Sequence, residues 1–138
     1  SRLKIKYYAA TPENFKIKQK FDVVLNMEIV EHVKDVNFFI NKTSSFVKKG
    51  GIMFVATINK TLKSYLFAII GAEYILKWLP IGTHEWEKFL DPKELKNVGE
   101  NNSLKFKKIH GIKYDLLNNS WKLSKDSSVN YIVEFLKI

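Results

Sequence analysis

Residues 21–26, FDVVLN, and residues 48–59, KKGGIMFVATIN, decide the fold class. Each holds a short apolar run bounded by polar residues, the pattern of strands buried on both faces of a parallel sheet. Between them VNFFINKTSSFV places Val36, Phe39, Ile40, Thr43 and Val47 at helical spacing. Lys48-Lys49-Gly50-Gly51 reads as the end of that helix, with glycine supplying the left-handed cap. Strand, helix, Gly-Gly turn and strand make a right-handed βαβ crossover, so an α/β fold is expected.

Working outward, residues 3–8 alternate Leu3, Ile5 and Tyr7 with Lys4 and Lys6, which suits a half-buried strand. Residues 9–20 read as a loop with one helical turn. Residues 64–80, SYLFAIIGAEYILKWLP, are nearly all apolar, interrupted by Glu73 and Lys77; that is too short for a comfortable transmembrane helix, which needs ~20 residues. Asp91 followed by Pro92 reads as a helix N-cap. Residues 104–116 and 129–138 are strand-like and read as a terminal antiparallel pair, separated by Asn118-Asn119-Ser120 and a short WKLS segment. No repeat or linker divides the 138 residues, so 1–138 is one domain.

With no cysteine, thiolate zinc sites, disulfides and cysteine nucleophiles are excluded. At 46% hydrophobic residues the chain has material for a packed core, which argues against wholesale disorder. The net charge is +9, but Arg2 is the only arginine and the lysines are scattered. Readers of nucleic acid favour arginine for bidentate contacts, so no nucleic-acid partner is expected. Attraction to anionic lipid at low salt fits the charge. The first residues lack the apolar run of a secretory signal, and an intracellular location is expected.

Asn26-Met27-Glu28 stands where the first apolar strand ends, and in open α/β sheets ligands bind outside the carboxyl ends of strands. Glu28, Glu31 and His32 are spaced i, i+3, i+4 and share a face if the chain turns into helix at once. Two carboxylates and an imidazole suit a divalent cation, the hard oxygens favouring Mg²⁺ or Mn²⁺. The alternative is a solvated polar turn capped by His32.

FDVVLNMEIVEHVKD, KKGGIMFVATIN and GAEYILKWLPIGTHEWEKFLDPKEL together resemble the ubiquinone biosynthesis O-methyltransferase family, a class I group that uses S-adenosylmethionine. The likeness runs from Phe21 to Leu95, and GAEYIL and GTHEWEKF are its most specific parts. It implies a partial doubly wound Rossmann-like sheet, mostly parallel with a terminal antiparallel pair. It implies further that Met27 contacts S-adenosylmethionine and that Glu28, Glu31 and His32 form a divalent-cation site, with Mg²⁺ expected. His84, in the GTH motif, is a candidate general base toward a phenol, or else orders its loop.

The substrate implied is a polyprenylated catechol or hydroquinol, methylated on a phenolic oxygen in the cytoplasm at the inner membrane of a bacterium. Residues 60–85 then form a lid or membrane-interface insertion, with 64–80 making peripheral membrane contact. One departure matters: no glycine precedes Gly50, so the glycine-rich turn that opens class I domains is not in these residues. The chain resembles the C-terminal part of the enzyme, residues 3–8 aligning with the third strand of the fold. A separate N-terminal half or homo-association is expected to complete the sheet. The competing reading is a non-catalytic remnant that binds a partner or membrane.

Overall fold

The apolar run FDVVLNM forms β1, Phe21–Met27, and the second run forms β2, Val47–Ile58, paired with it in parallel. A computed structural model describes residues 3–12, 14–66, 86–115 and 118–138. Between the two strands lies α1, Val36–Ser44, whose start is set by Asp35: its carboxylate accepts the Phe38 amide at 2.9 Å. The helix stops at Ser45, whose amide returns to the Asn41 carbonyl at 3.2 Å.

The Gly-Gly pair is therefore not the helix cap. It lies inside β2, where pairing steps from Phe21↔Val47 to Val23↔Ile52 and the surplus residues loop out as a bulge. Gly50 takes φ +78 there, which a Cβ would strain. Lys48 bridges to Asp22 at 2.8 Å across the same irregularity.

After β2 a single helical turn, α2, Leu62–Ser64, is closed by a capping box between Thr61 and Ser64. Helix α3, Pro92–Asn101, begins as its sequence predicts, with Asp91 accepting the Lys93 amide at 2.7 Å and Pro92 in the first turn. Strands β3, Leu104–Asp115, β4, Ser120–Ser124, and β5, Asn130–Lys137, complete a sheet of order β1-β2-β5-β3-β4. The predicted antiparallel pair is β3 with β5, and WKLS joins the sheet as β4 against β3.

The sheet is α/β in class but not mainly parallel among the described residues. β1 with β2 is parallel, and the other three pairings are antiparallel. Residues 3–8 supply no strand: they run as exposed coil, and alternation without a partner strand leaves nothing to pair with. The N-terminal segment is tethered by edge-to-face contacts from Tyr8 to Phe15 and from Phe15 to Phe46. Residues 67–85, which hold most of the 64–80 stretch and His84, lie outside the described residues. No helix among the described residues is long and apolar enough to cross a membrane.

Register separates the two sheet faces. Val24, Met53, Phe135 and Phe106 align across β1, β2, β5 and β3, followed by Asn26, Val55, Val133 and Ile109. That face is closed by Phe39 and Ile40 of α1 and Leu95 of α3, which form one core with it. Gly99 lets α3 approach, since a Cβ there would stand 2.5 Å from the Phe135 ring. The opposite face carries Val23, Ile52 and Leu136, then Leu25 and Phe54. Val23 is 49% and Leu25 61% exposed, so β1, read as buried on both faces, is an edge strand with one apolar side open among the described residues.

An apolar edge strand of this kind pairs with other chains. Light scattering after gel filtration is expected to find the isolated chain self-associated, and Leu25→Lys should shift it toward monomer; a monomeric wild-type chain would contradict this. Gly99→Ala is expected to lower stability by about 1–3 kcal/mol in urea unfolding, the usual consequence of overpacking.

Candidate functional site

The carboxyl ends of β1 and β2 place the site. Glu28 directly follows β1 and its amide donates to the Ala56 carbonyl at 2.9 Å, extending the parallel ladder by one rung. Its backbone then turns into the left-handed region, φ +51, which changes the chain's direction. A 3₁₀ turn, Val30–His32, follows. Val30 enters the core, and Glu31 beside it is carried inside, only 3% exposed.

A buried carboxylate needs donors, and one oxygen has one: the Thr57 hydroxyl, on β2, donates to Glu31 Oε2 at 2.7 Å. Thr57 is itself fully buried. The other oxygen, Oε1, is buried with no hydrogen-bond donor among the described residues. Leaving such an acceptor unsatisfied costs about 1–3 kcal/mol, more when charged, and a proton or a cation would relieve it. Glu28 lies within hydrogen-bonding reach of Glu31. Glu28 is exposed to solvent on one side, yet enough protein surrounds its carboxyl that burial, then the Glu31 charge and hydrogen bond, push it up to about 7.

Tyr131 on β5 pairs in register with Thr57 and donates its hydroxyl to the Leu90 carbonyl at 3.0 Å. Burial and then the charges of Asp91, Glu31, Glu94 and Glu28 hold its phenol well above the usual range. It is a neutral wall of the site. A cleft of about 210 Å³ opens beside the turn, lined by Val30, Lys34, Val36, Lys60, Glu87 and Phe89 among others. A larger hollow of about 310 Å³, walled by Tyr8, Pro12, Phe15 and Phe46, lies at the other end of β2 and far from these carboxylates.

Of the residues singled out in the sequence, Glu28 and Glu31 come together. Met27 ends β1 half-exposed. Glu28, Glu31 and His32 do not share one face of an α-helix, because Glu28 precedes a 3₁₀ turn in a left-handed conformation. Among the described residues no three His, Asp or Glu side chains converge on one metal position. His84 lies outside the described residues. Thr57 was missed by sequence reasoning. No sequence signal marked it, since only the register that pairs Ala56 with Met27 brings Thr57 to Glu31.

The chain matches no family profile. Among curated proteins it is 61% identical over 137 residues to the ubiquinone biosynthesis O-methyltransferase of Pelagibacter ubique, covering 99% of this chain and 57% of that protein. The protein of the same name from Bartonella tribocorum is 54% identical over 134 residues, covering 96% of this chain and 54% of the relative. The chain thus spans a little over half the length of these curated relatives. Among solved structures, an S-adenosylmethionine-dependent methyltransferase from Thermotoga maritima, a possible histamine N-methyltransferase, superposes with a TM-score of 0.63 at 15% identity, covering 94% of this chain and 62% of that one. Magnesium protoporphyrin IX methyltransferase from Synechocystis, with bound S-adenosylhomocysteine, follows at 0.57 and 13% identity, covering 89% and 48%. These likenesses establish a methyltransferase fold.

The raised Glu28 carboxyl has a definite effect on stability. A folded-state pKa of about 7 against 4.5 in the unfolded chain means the native state binds more protons between those values. Stability is therefore expected to fall as pH rises from about 4.5 to about 7. Urea unfolding in the presence of a chelator should show this slope, and Glu28→Gln should flatten it.

Proposed function

We propose that the chain belongs to the ubiquinone biosynthesis O-methyltransferase family and is the C-terminal part of an enzyme methylating a phenolic oxygen of a polyprenylated catechol or hydroquinol. The observation that carries this is the 61% identity along nearly all of its length to the Pelagibacter protein of that name. S-adenosylmethionine supplies an electrophilic methyl group when bound, and alignment of the acceptor oxygen with it is most of what such a displacement needs.

The residues present fit parts of this. Met27 offers an exposed apolar side chain at the carboxyl end of a parallel strand, where cofactors of this fold class lie, and would contact S-adenosylmethionine. Glu28 and Glu31 suit a hard cation, since the buried Glu31 Oε1 lacks a donor and a second carboxyl adjoins it. Mg²⁺ commonly takes one or two protein carboxylates and keeps several waters, so a two-carboxylate set is chemically sufficient. His32, exposed in the same turn, is the further candidate ligand. Such a cation would lower the pKa of an adjacent hydroxyl and orient it. His84 would accept the phenolic proton.

The apolar stretch 64–80 is proposed to lie against the inner membrane, on its cytoplasmic side, where a polyprenyl substrate resides. The open edge of β1 calls for further strands, supplied by the remaining part of the protein, by a separate polypeptide or by a second copy. The same edge also favours the second reading, a non-catalytic partner-binding module.

The test is calorimetric titration of S-adenosylmethionine into this chain alone and into this chain joined to the N-terminal portion of the Pelagibacter relative. The joined protein is expected to bind and to methylate a polyprenyl catechol, the chain alone to bind at least tenfold more weakly, and Met27→Asp to abolish binding. A joined protein that is folded but neither binds nor methylates would overturn the enzyme reading in favour of the second.

A further inference from the structure

Thr57 stands in the middle of an apolar run, yet its hydroxyl is neither solvated nor returned to the backbone. It is fully buried and donates to a side chain 26 residues earlier in sequence, Glu31 Oε2, at 2.7 Å. A hydroxyl that served only to satisfy a buried carboxylate would leave the group tolerable as it stands. Here it satisfies one oxygen and leaves Oε1, also buried, without a donor among the described residues, next to a second carboxyl.

We infer that Thr57 is a positioning residue for the Glu28–Glu31 pair: by anchoring Oε2 it fixes the Glu31 carboxylate so that Oε1 remains available to a bound cation. This rests on the proposed role of the two carboxylates as a cation site. The backbone gives the bond its rigidity. Thr57 lies in β2 between two strands, held by the Thr57↔Tyr131 pairing on one side and by the Glu28 amide on the Ala56 carbonyl on the other. Threonine is also stiff about χ1, so its hydroxyl holds one direction. Partners that orient a ligating carboxylate typically alter metal affinity 10–100-fold when removed.

The experiment is Mn²⁺ titration followed by electron paramagnetic resonance, on the full chain and on Thr57→Val, Thr57→Ser and Glu31→Gln, each first checked for cooperative unfolding. Thr57→Val, which keeps shape and removes the donor, is expected to weaken Mn²⁺ binding about tenfold or more. Thr57→Ser should stay within about twofold of wild type, and Glu31→Gln should lose binding. Thr57→Val binding like wild type would overturn the role, as would equal losses in the valine and serine variants.

Should the valine variant not fold, Thr57→Ala takes its place with the same expectation. Failure of the wild-type chain to take up millimolar Mn²⁺ would sink the cation reading separately. Thr57 is then judged by the infrared carboxylate stretch of Glu31, assigned by its loss in Glu31→Gln. That band should shift in Thr57→Val and hold in Thr57→Ser, and an unshifted band overturns the inference.

Discussion

The parallel pairing of β1 with β2 is the constraint on which the rest depends. Its last rung, the Glu28 amide on the Ala56 carbonyl at 2.9 Å, sets the end of one strand beside the next residue of the other. Everything chemical follows from that registration: Thr57 is one residue beyond Ala56, and Glu31 is three beyond Glu28. A slip of one residue would turn Thr57 to the open face and send an apolar neighbour toward Glu31, because strand side chains alternate with period two. The bulge at Gly50 and Gly51 takes up the irregularity at the strand's start, so its far end remains in register.

Packing is asymmetric for the same reason. α1 and α3 both cover one face of the sheet and meet through a chain of amides, Asn41 to Asn102 at 2.9 Å and Asn102 to Asn37 at 2.8 Å. That face holds the buried core, Tyr131, Phe135, Met53 and Val55 among it. The other face presents Val23 and Leu25 to water. A parallel strand is ordinarily covered on both faces by helices, and the chain spans little more than half the length of its curated relatives. Among the described residues, helices cover one face of the sheet.

The sequence made the elements legible where local chemistry decides them. β1 falls within a residue of the apolar run 21–26, the helix expected from Val36 starts there but ends at Ser44 instead of reaching Val47, and α3 starts at the predicted Asp91-Pro92 cap. It misled where the outcome depends on a neighbour. Residues 3–8 alternate as a strand should and remain coil, since pairing needs a partner. FDVVLN reads as doubly buried because its composition records the cover a strand is built for, not the cover present. Gly50-Gly51 marks a left-handed backbone correctly and assigns it to the wrong element, as Ser45 already ends the helix. At the site, the E-x-x-E spacing was visible, while the Thr57 contact was not: a lone threonine in IMFVATI reads as a β-former until register is known.

The carboxylate pair shows why a fold would keep so unfavourable an arrangement. Replacing Glu31 by an apolar residue would relieve an unsatisfied buried oxygen, and one hydroxyl bond worth about 1–1.5 kcal/mol does not offset burying a charge. Val30, one residue earlier, is core, so the turn cannot simply swing Glu31 outward without withdrawing Val30. Glu28, by contrast, sits at φ +51, where asparagine or glycine would be easier, with the Glu31 carboxylate adjoining it. Two adjoining carboxyls lower their joint energy by keeping a proton, which is why the Glu28 carboxyl is pushed up to about 7, or by binding a cation. Under the proposed cation role, the local strain and the unsatisfied Glu31 oxygen belong to the unliganded side of a binding equilibrium, and Thr57 fixes the geometry without supplying charge.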